Sequence, residues 1–245
     1  MASHGRLAST NDEALACARS GDPGRLWITA ESQTGGRGRN GRSWASPPGN
    51  LFASLLLIDP APLRRAAELG FVTSIALALA LRDLLGGDSR LAIKWPNDIL
   101  YDGAKLAGIL LESASLPEGF ACVVGIGVNC NSHPEDTLYK ATNLMAIAGD
   151  RVAPETVFEQ LTAAMAYWLD VWAEGAGFET IRAEWLSLAV GIGGKISVRR
   201  SKDSLEGVFQ TIDSTGRLVL LQNSGSVAID AGDVFLLAPP QVVDQ

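Results

Sequence analysis

The stretch Leu91-Ala92-Ile93-Lys94-Trp95-Pro96-Asn97-Asp98-Ile99-Leu100-Tyr101-Asp102-Gly103-Ala104-Lys105-Leu106-Ala107-Gly108-Ile109-Leu110-Leu111-Glu112 decides the fold class. Leu91 to Trp95, Ile99 to Tyr101 and Lys105 to Glu112 read as three short apolar strands. The last two meet through Asp102-Gly103, a strong hairpin signal. Ala121 to Asn129 follows as another apolar strand, so strands run in a meander here. Upstream, Leu51 to Ile58 is an apolar strand, and Pro62 suits the first turn of a long helix running to about Leu85 and stopping at Gly86-Gly87. Trp27 to Ser32 reads as a strand. Ser9-Thr10-Asn11-Asp12-Glu13 opens a short helix ending at Gly21: Thr10 and Glu13 have capping-box spacing, and Gly21 suits a C-terminal cap. Downstream, helical patterns fill Glu155 to Trp172 and Phe178 to Leu188. Helices and strands in such blocks imply an α+β fold with a mixed or antiparallel sheet, not a repeating βαβ fold.

Gly191-Ile192-Gly193-Gly194 marks a boundary between units 1–190 and 191–245. Beyond it, Ile196 to Arg199, Gly207 to Ile212, Leu218 to Leu221, Val227 to Asp230 and Val234 to Leu237 are strand candidates separated by turn residues, as in a small closed β-barrel. Roughly 50 residues bury little surface alone, so this unit is expected to dock on the first.

Composition narrows the function classes. The chain has 245 residues, is 47% hydrophobic and 19% charged, and carries a net charge of -7. General affinity for nucleic acid needs a basic surface, so anion binding here must be local. Cys17, Cys122 and Cys130 lack paired metal spacing and read as reduced thiols of a cytoplasmic protein. Met1 to Asn11 is polar and shows no secretory signal. Leu69 to Leu81 contains Thr73 and Ser74 and is shorter than the ~18 residues a membrane span needs, so it reads as a buried helix.

Against that acidic background, Gly35-Gly36-Arg37-Gly38-Arg39-Asn40-Gly41-Arg42 sets three arginines among four glycines, with no acidic residue from Ser32 to Ile58. Glycine lets a backbone approach a ligand closely, and arginine offers forked donors to carboxylate and phosphate. The segment reads either as a mobile cationic loop closing on a small anion, or as a solvated or RNA-binding Arg-Gly tract. Lys94, between Ile93 and Trp95 and before Pro96, is either a desolvated anion ligand or a snorkelling surface lysine. Gly125-Ile126-Gly127-Val128-Asn129 allows close approach of a ligand, or merely tight strand packing. Ser9, Thr10 and Asn11 suit a helix N-cap as well as a ligand, and Gln33 suits a ligand amide or solvent. The two histidines are His4, in a terminus expected to fray, and His133, which has no nucleophile elbow beside it. No zinc cluster, Rossmann fingerprint or P-loop is present. Chemistry by positioning and charge neutralisation remains, and nucleotidyl transfer to a carboxylate fits it, because the acid is its own nucleophile.

These segments, in this order, resemble the biotin protein ligases: Ser9-Thr10-Asn11; Ala30-Glu31-Ser32-Gln33 leading into Gly36 to Trp44; Lys94 to Asp98; Lys105 to Glu112; and Gly125 to Asn129. The resemblance implies a class II synthetase-like catalytic domain followed by an SH3-like β-barrel. It implies that biotin and MgATP form biotinoyl-5′-AMP, and that biotin passes to a lysine of a carrier such as the biotin carboxyl carrier of acetyl-CoA carboxylase. Ser9, Thr10, Asn11 and Gln33 would meet the ureido end of biotin. Arg37, Gly38 and Arg39 would cover biotin and the adenylate phosphate, and Arg42 would help to bind nucleotide phosphate. Lys94 would hold the biotin carboxylate and the adenylate phosphate, with Asn129 near phosphate or ribose. Lys94 and Arg39 are thus the catalytic expectations, and the metal would be held mainly by ATP. Asn40 stands where many relatives carry arginine. Only eight residues precede Ser9, so no DNA-binding module and no operator binding are expected. No membrane association is expected, and a homodimer is compatible with the sequence. The rival readings are lipoate–protein ligase, which shares fold and adenylate chemistry, and a nonenzymatic RNA-binding module.

Overall fold

The computed structural model describes residues 1–135, 139–200 and 202–237. The N-terminal part runs β1 (Ala2–Leu7), α1 (Thr10–Arg19), β2 (Leu26–Gln33), β3 (Leu51–Ile58), α2 (Leu69–Leu84), β4 (Leu91–Lys94), β5 (Asp98–Tyr101), β6 (Ala104–Ser115) and β7 (Phe120–Val128). Then come α3 (Leu144–Ala148), α4 (Pro154–Trp172) and α5 (Phe178–Leu188). The C-terminal strands are β8 (Lys195–Arg199), β9 (Ser204–Ile212), β10 (Leu218–Gln222), β11 (Gly225–Ile229) and β12 (Asp233–Leu236).

The first seven strands form one mixed sheet in the order β1-β2-β3-β7-β6-β5-β4, antiparallel except for the β1–β2 pair. The expected meander is the β4–β7 half of it. Strand periodicity assigns the two faces. Leu51, Ala53, Leu55 and Leu57 of β3 and Cys122, Val124, Ile126 and Val128 of β7 point into one core, covered by α2, α4 and α5. Helix α2 is apolar around most of its circumference and accordingly buried on most sides. The alternate residues face the other way. Leu56, Ala121 and Val123 meet Ala14 and Ala18 of α1 in a smaller cluster. Helix α1 covers only part of this second face, and the remainder is the floor of a pocket.

Several local expectations change. His4 lies not in a frayed end but in β1, paired with β2, where tertiary pairing overrides a polar sequence. Ser9, not Thr10, is the N-cap of α1: its side chain accepts from Asp12 N, so the cap falls one residue earlier than the Thr10–Glu13 spacing suggests. The helix expected from Pro62 begins as a 3-10 segment over Leu63–Glu68, with α2 starting at Leu69.

The C-terminal strands form an antiparallel sheet in the order β11-β10-β9-β8-β12, matching the five expected positions. It docks on the first unit: Ile196, Val198, Phe209, Ile212, Leu218 and Leu220 share one core with Trp95 and Trp185. Trp95 Nε1 donates to Gly216 O at 3.3 Å and Arg182 Nε to Ile212 O at 2.7 Å. Residues 238–245 of the expected C-terminal unit lie outside the described residues. Among the described residues, no helix is long and apolar enough to cross a membrane.

Candidate active site

The uncovered sheet face collects residues far apart in sequence by the period of two. Lys94, Asp98, Gly108, Gly125 and Gly127 line a single pocket with Ser9, Thr10, Asn11, Gln33, Arg37, Gly38, Arg39, Arg42, Trp44 and Lys105. Asp233, Val234 and Phe235 of β12 close one side. Nine of the expected site residues, Ser9, Thr10, Asn11, Gln33, Arg37, Gly38, Arg39, Arg42 and Lys94, therefore meet in one cavity.

At one end the lining is neutral and polar. Thr10 N donates to Gln33 Oε1 at 2.8 Å, and Gln33 Nε2 donates to Ser46 Oγ at 3.1 Å. Ser54, fully buried on β3, donates to Asn11 Oδ1 at 2.6 Å, and its hydroxyl lies 2.7 Å from Thr10 Oγ1. Asn11 Nδ2 donates to Glu112 Oε2 at 2.7 Å. Gly125 is required here, because a Cβ on it would lie 2.3 Å from Asn11 Oδ1. The glycines of Gly125-Ile126-Gly127 thus admit side chains of the protein itself.

The other end is cationic. The β4–β5 hairpin sets Lys94 opposite Asp98, with Nζ 3.0 Å from Oδ2. Lys105 reaches the second oxygen of the same carboxylate from β6. Asp98 is buried, which pushes its carboxyl up, but Lys105 and then Lys94 outweigh burial and hold it below its ordinary value. Lys94 is only 16% exposed, so the desolvated reading of this lysine describes its position. The Tyr139 ring lies 5.4 Å from Lys94 Nζ and 5.3 Å from Lys105 Nζ.

The Gly/Arg loop is not remote from packing residues, as its sequence suggests. It folds back as a narrow hairpin, with Gly38 N donating to Arg42 O and Trp44 N to Gly36 O. Its tip is Asn40-Gly41, both left-handed at φ 57° and 70°. Asn-Gly is the pair that favours two successive positive φ values, whereas a longer side chain resists them, which gives Asn40 a conformational reason. Acidic residues brought in from elsewhere offset the arginines. Arg37 donates to Asp12 at 2.6 and 2.9 Å and to Glu112 at 2.9 Å, and its hydrogen bonds hold Asp12 below the usual carboxylate range. Arg42 pairs with Asp233 at 2.8 Å. Arg39 donates to Gly232 O at 3.2 Å, and burial lowers its guanidinium below its ordinary value. Arg37 and Arg39 turn inward and Arg42, though exposed, is paired with Asp233, which argues against an outward-facing RNA tract.

Trp44 packs on the glycines of the floor: a Cβ on Gly127 would lie 2.6 Å from its Nε1, and one on Gly108 3.0 Å from Cζ3. Its indole N–H is buried without a partner among the described residues. Asn129 is set apart from the other expected site residues. Its Nδ2 donates to Thr142 O, and it lines a small neighbouring pocket with Ser43, Trp44, Lys105 and Tyr139. Sequence reasoning assigned no role to Asp98, Lys105, Glu112, Ser54 or Asp233. Asp98, Lys105 and Glu112 stand inside quoted motifs, and alternation along the hairpins was the signal that could have found them.

The family model described as the Biotin/lipoate A/B protein ligase family matches residues 6–129, and the Biotin protein ligase C terminal domain model matches residues 191–237. The chain is 41% identical to the biotin–[acetyl-CoA-carboxylase] ligase of Paracoccus denitrificans, over 94% of this chain and 98% of that one. It is 32% identical to the bifunctional ligase/repressor BirA of Bacillus subtilis, over 95% of this chain and 73% of that one. Its fold is similar to that of a biotin protein ligase from Aquifex aeolicus in complex with biotin and ATP, with a TM-score of 0.81 at 23% identity, covering 97% and 98% of the two chains.

Proposed function

The chain belongs to the biotin/lipoate A/B protein ligase family, among its biotin protein ligases, and on that premise we propose that it activates biotin with ATP and transfers it to a carrier lysine. One observation carries the reading: a single pocket has a neutral hydrogen-bonding end and a cationic end, without a nucleophilic side chain in a catalytic array. In the first step a biotin carboxylate oxygen attacks the α-phosphorus, the bond to the bridging oxygen breaks, and pyrophosphate leaves. In the second a carrier lysine attacks the acyl carbon, the acyl–oxygen bond breaks, AMP leaves, and the amine releases a proton.

Ser9, Thr10, Asn11 and Gln33 hold the ureido ring, which needs several donors and acceptors. Lys94, joined by Lys105, neutralises the biotin carboxylate and the adenylate phosphate, and Asp98 keeps both ammonium groups aimed at one point. Charge stabilisation of this kind is strong in a site sheltered from water. Arg37, Gly38 and Arg39 cover the adenylate, and Arg42 lies toward the nucleotide phosphates. Asn129, across Trp44 from the main cavity, faces the nucleotide end. Magnesium enters as part of the nucleotide substrate, held mainly by the ATP phosphates.

Residues 1–190 form the catalytic unit and 191–245 the C-terminal unit on this reading. The proposed partner is a biotin carboxyl carrier protein or domain, such as that of acetyl-CoA carboxylase. Repressor activity is not part of the proposal, because a net charge of -7 opposes the DNA backbone. Supply of ATP and the buried thiols of Cys122 and Cys130 fit the cytoplasm. Thermal unfolding with biotin, lipoate and ATP, singly and in pairs, tests the reading. A tightly held adenylate raises the midpoint by mass action, so biotin plus ATP is expected to give the largest rise. An equal or larger rise with lipoate plus ATP points to lipoate ligation instead.

A further inference from the structure

Glu112 projects from β6 between two parts of the pocket that no other described carboxylate joins. Its Oε2 accepts from Asn11 Nδ2 at 2.7 Å and from Arg37 Nη2 at 2.9 Å, and its Oε1 accepts from Arg37 Nε at 3.2 Å. The orientation of the Asn11 amide is fixed, because Oδ1 accepts from Ser54. Nδ2 therefore faces Glu112. An amide NH2 has two protons, and the second has no partner among the described residues. Arg37 has another carboxylate, Asp12, but Asp12, although next to Asn11 in the chain, makes no hydrogen bond to the Asn11 side chain among the described residues. Glu112 and Arg37 are each 28% exposed, so their contact is partly sheltered from solvent screening.

We propose that Glu112 is a positioning residue that ties the floor of the pocket at Asn11 to the Gly/Arg loop at Arg37, so that filling the first favours closure of the second. The inference rests on the biotin reading above. A ureido oxygen that accepts the second Nδ2 proton immobilises the Asn11 amide. The amide then holds Glu112 in the rotamer that receives Arg37. ATP is not needed for this step.

The loop carries three arginyl bonds, Arg37-Gly38, Arg39-Asn40 and Arg42-Ser43, so trypsin reports its opening. In the parent protein, biotin alone is expected to slow loop cleavage roughly tenfold, within the usual range of coupling between sites. Glu112→Gln replaces one acceptor by a donor that faces donors. Without ligand its loop is expected to be cleaved faster than the parent's, biotin is expected to slow cleavage less than about twofold, and the Kd for biotin is expected to rise at least about fivefold. Asp12→Asn loosens Arg37 but leaves the hydrogen bond from Asn11 to Glu112 in place. It is expected to speed ligand-free cleavage while keeping the parent's factor of protection by biotin. Should Glu112→Gln not fold, Glu112→Asp, shorter by one methylene, carries the same expectations.

If the Glu112 variant keeps the parent's factor, or Asp12→Asn loses as much of it, the proposal is overturned. Failure of the biotin reading looks different: the parent itself binds no biotin by titration calorimetry. The ligand-free cleavage rates then still judge the tie between Glu112 and Arg37, and an unchanged rate in Glu112→Gln overturns it.

Discussion

Replacing Gly125 by alanine adds one methyl group, and its consequence follows from a few distances. Gly125 sits inside β7, paired with Ser54 and Leu110, so alanine strains no backbone angle there. The new Cβ would lie 2.3 Å from Asn11 Oδ1 and 2.9 Å from both Cγ and Nδ2. The amide must withdraw by roughly 1 Å to restore an ordinary contact. Asn11 is 4% exposed and held on both sides, by Ser54 at 2.6 Å and Glu112 at 2.7 Å, so it cannot swing away freely. Overpacking of this kind costs about 1–3 kcal/mol. About 2 kcal/mol lost from biotin binding weakens Kd by roughly 30-fold. The ligand-free protein should also melt roughly 4–8 °C lower. Titration calorimetry with biotin and a melting scan without ligand measure the two effects. Biotin affinity within about threefold of the parent, together with a melting midpoint changed by less than about 1 °C, would refute the steric argument.

The remaining expectations address the cationic end and the loop. Gly127→Ala would set a Cβ 2.6 Å from Trp44 Nε1, so the KM for ATP should rise roughly tenfold while biotin affinity stays within about threefold; equal loss of both contradicts the separation of the two ends. Lys94→Ala should lose roughly 3 kcal/mol of transition-state stabilisation in biotin-dependent ATP–pyrophosphate exchange, and near-parental exchange rejects its role. Arg39→Gly should release activated biotin and raise labelling of unrelated proteins, whereas parental labelling rules out a retaining role. Asp98 has a folded pKa below its ordinary value, so its ionic contribution is complete above about pH 4 and is lost as pH falls through the lowered value. Asp98→Asn should cost roughly 3 kcal/mol at neutral pH, a gap that narrows in acid; a gap constant down to about pH 2 excludes the assignment.

Much of this molecule was legible from local pattern. Asp102-Gly103 located a hairpin because two residues suffice for its turn. The Gly/Arg loop was conspicuous because its composition departs from an acidic chain. Strand β1 was not legible, since Ser3, His4 and Arg6 carry no apolar alternation and the strand depends on pairing with β2. The short helix α3 depends on a cap from Asn143, a residue type equally at home in turns. In the site, single residues were readable and their connections were not. Glu112 lies 101 positions from Asn11 and 75 from Arg37, and only the order β3-β7-β6 brings them together. Lys94 was singled out while Lys105 was passed over, because Asp98 joins them only once the β4–β5–β6 register is known. Asn40 was legible as a difference in loop charge, but its place at a turn with positive φ was not.

The carboxylates paired with the pocket's cations have an electrical consequence. Arg37, Arg39, Arg42, Lys94 and Lys105 face Asp12, Glu112, Asp98 and Asp233, five positive groups against four negative ones. The cavity is thus an ion exchanger with tethered counterions and a surplus of a single positive charge. Biotin and ATP arrive with far more negative charge than that surplus. Once the mixed anhydride forms and pyrophosphate departs, one phosphate charge remains. On the proposed reading, the cavity is closer to charge balance with its intermediate than with its substrates. Mobile salt, which competes well with bare surface cations, has little left to screen once that balance is reached.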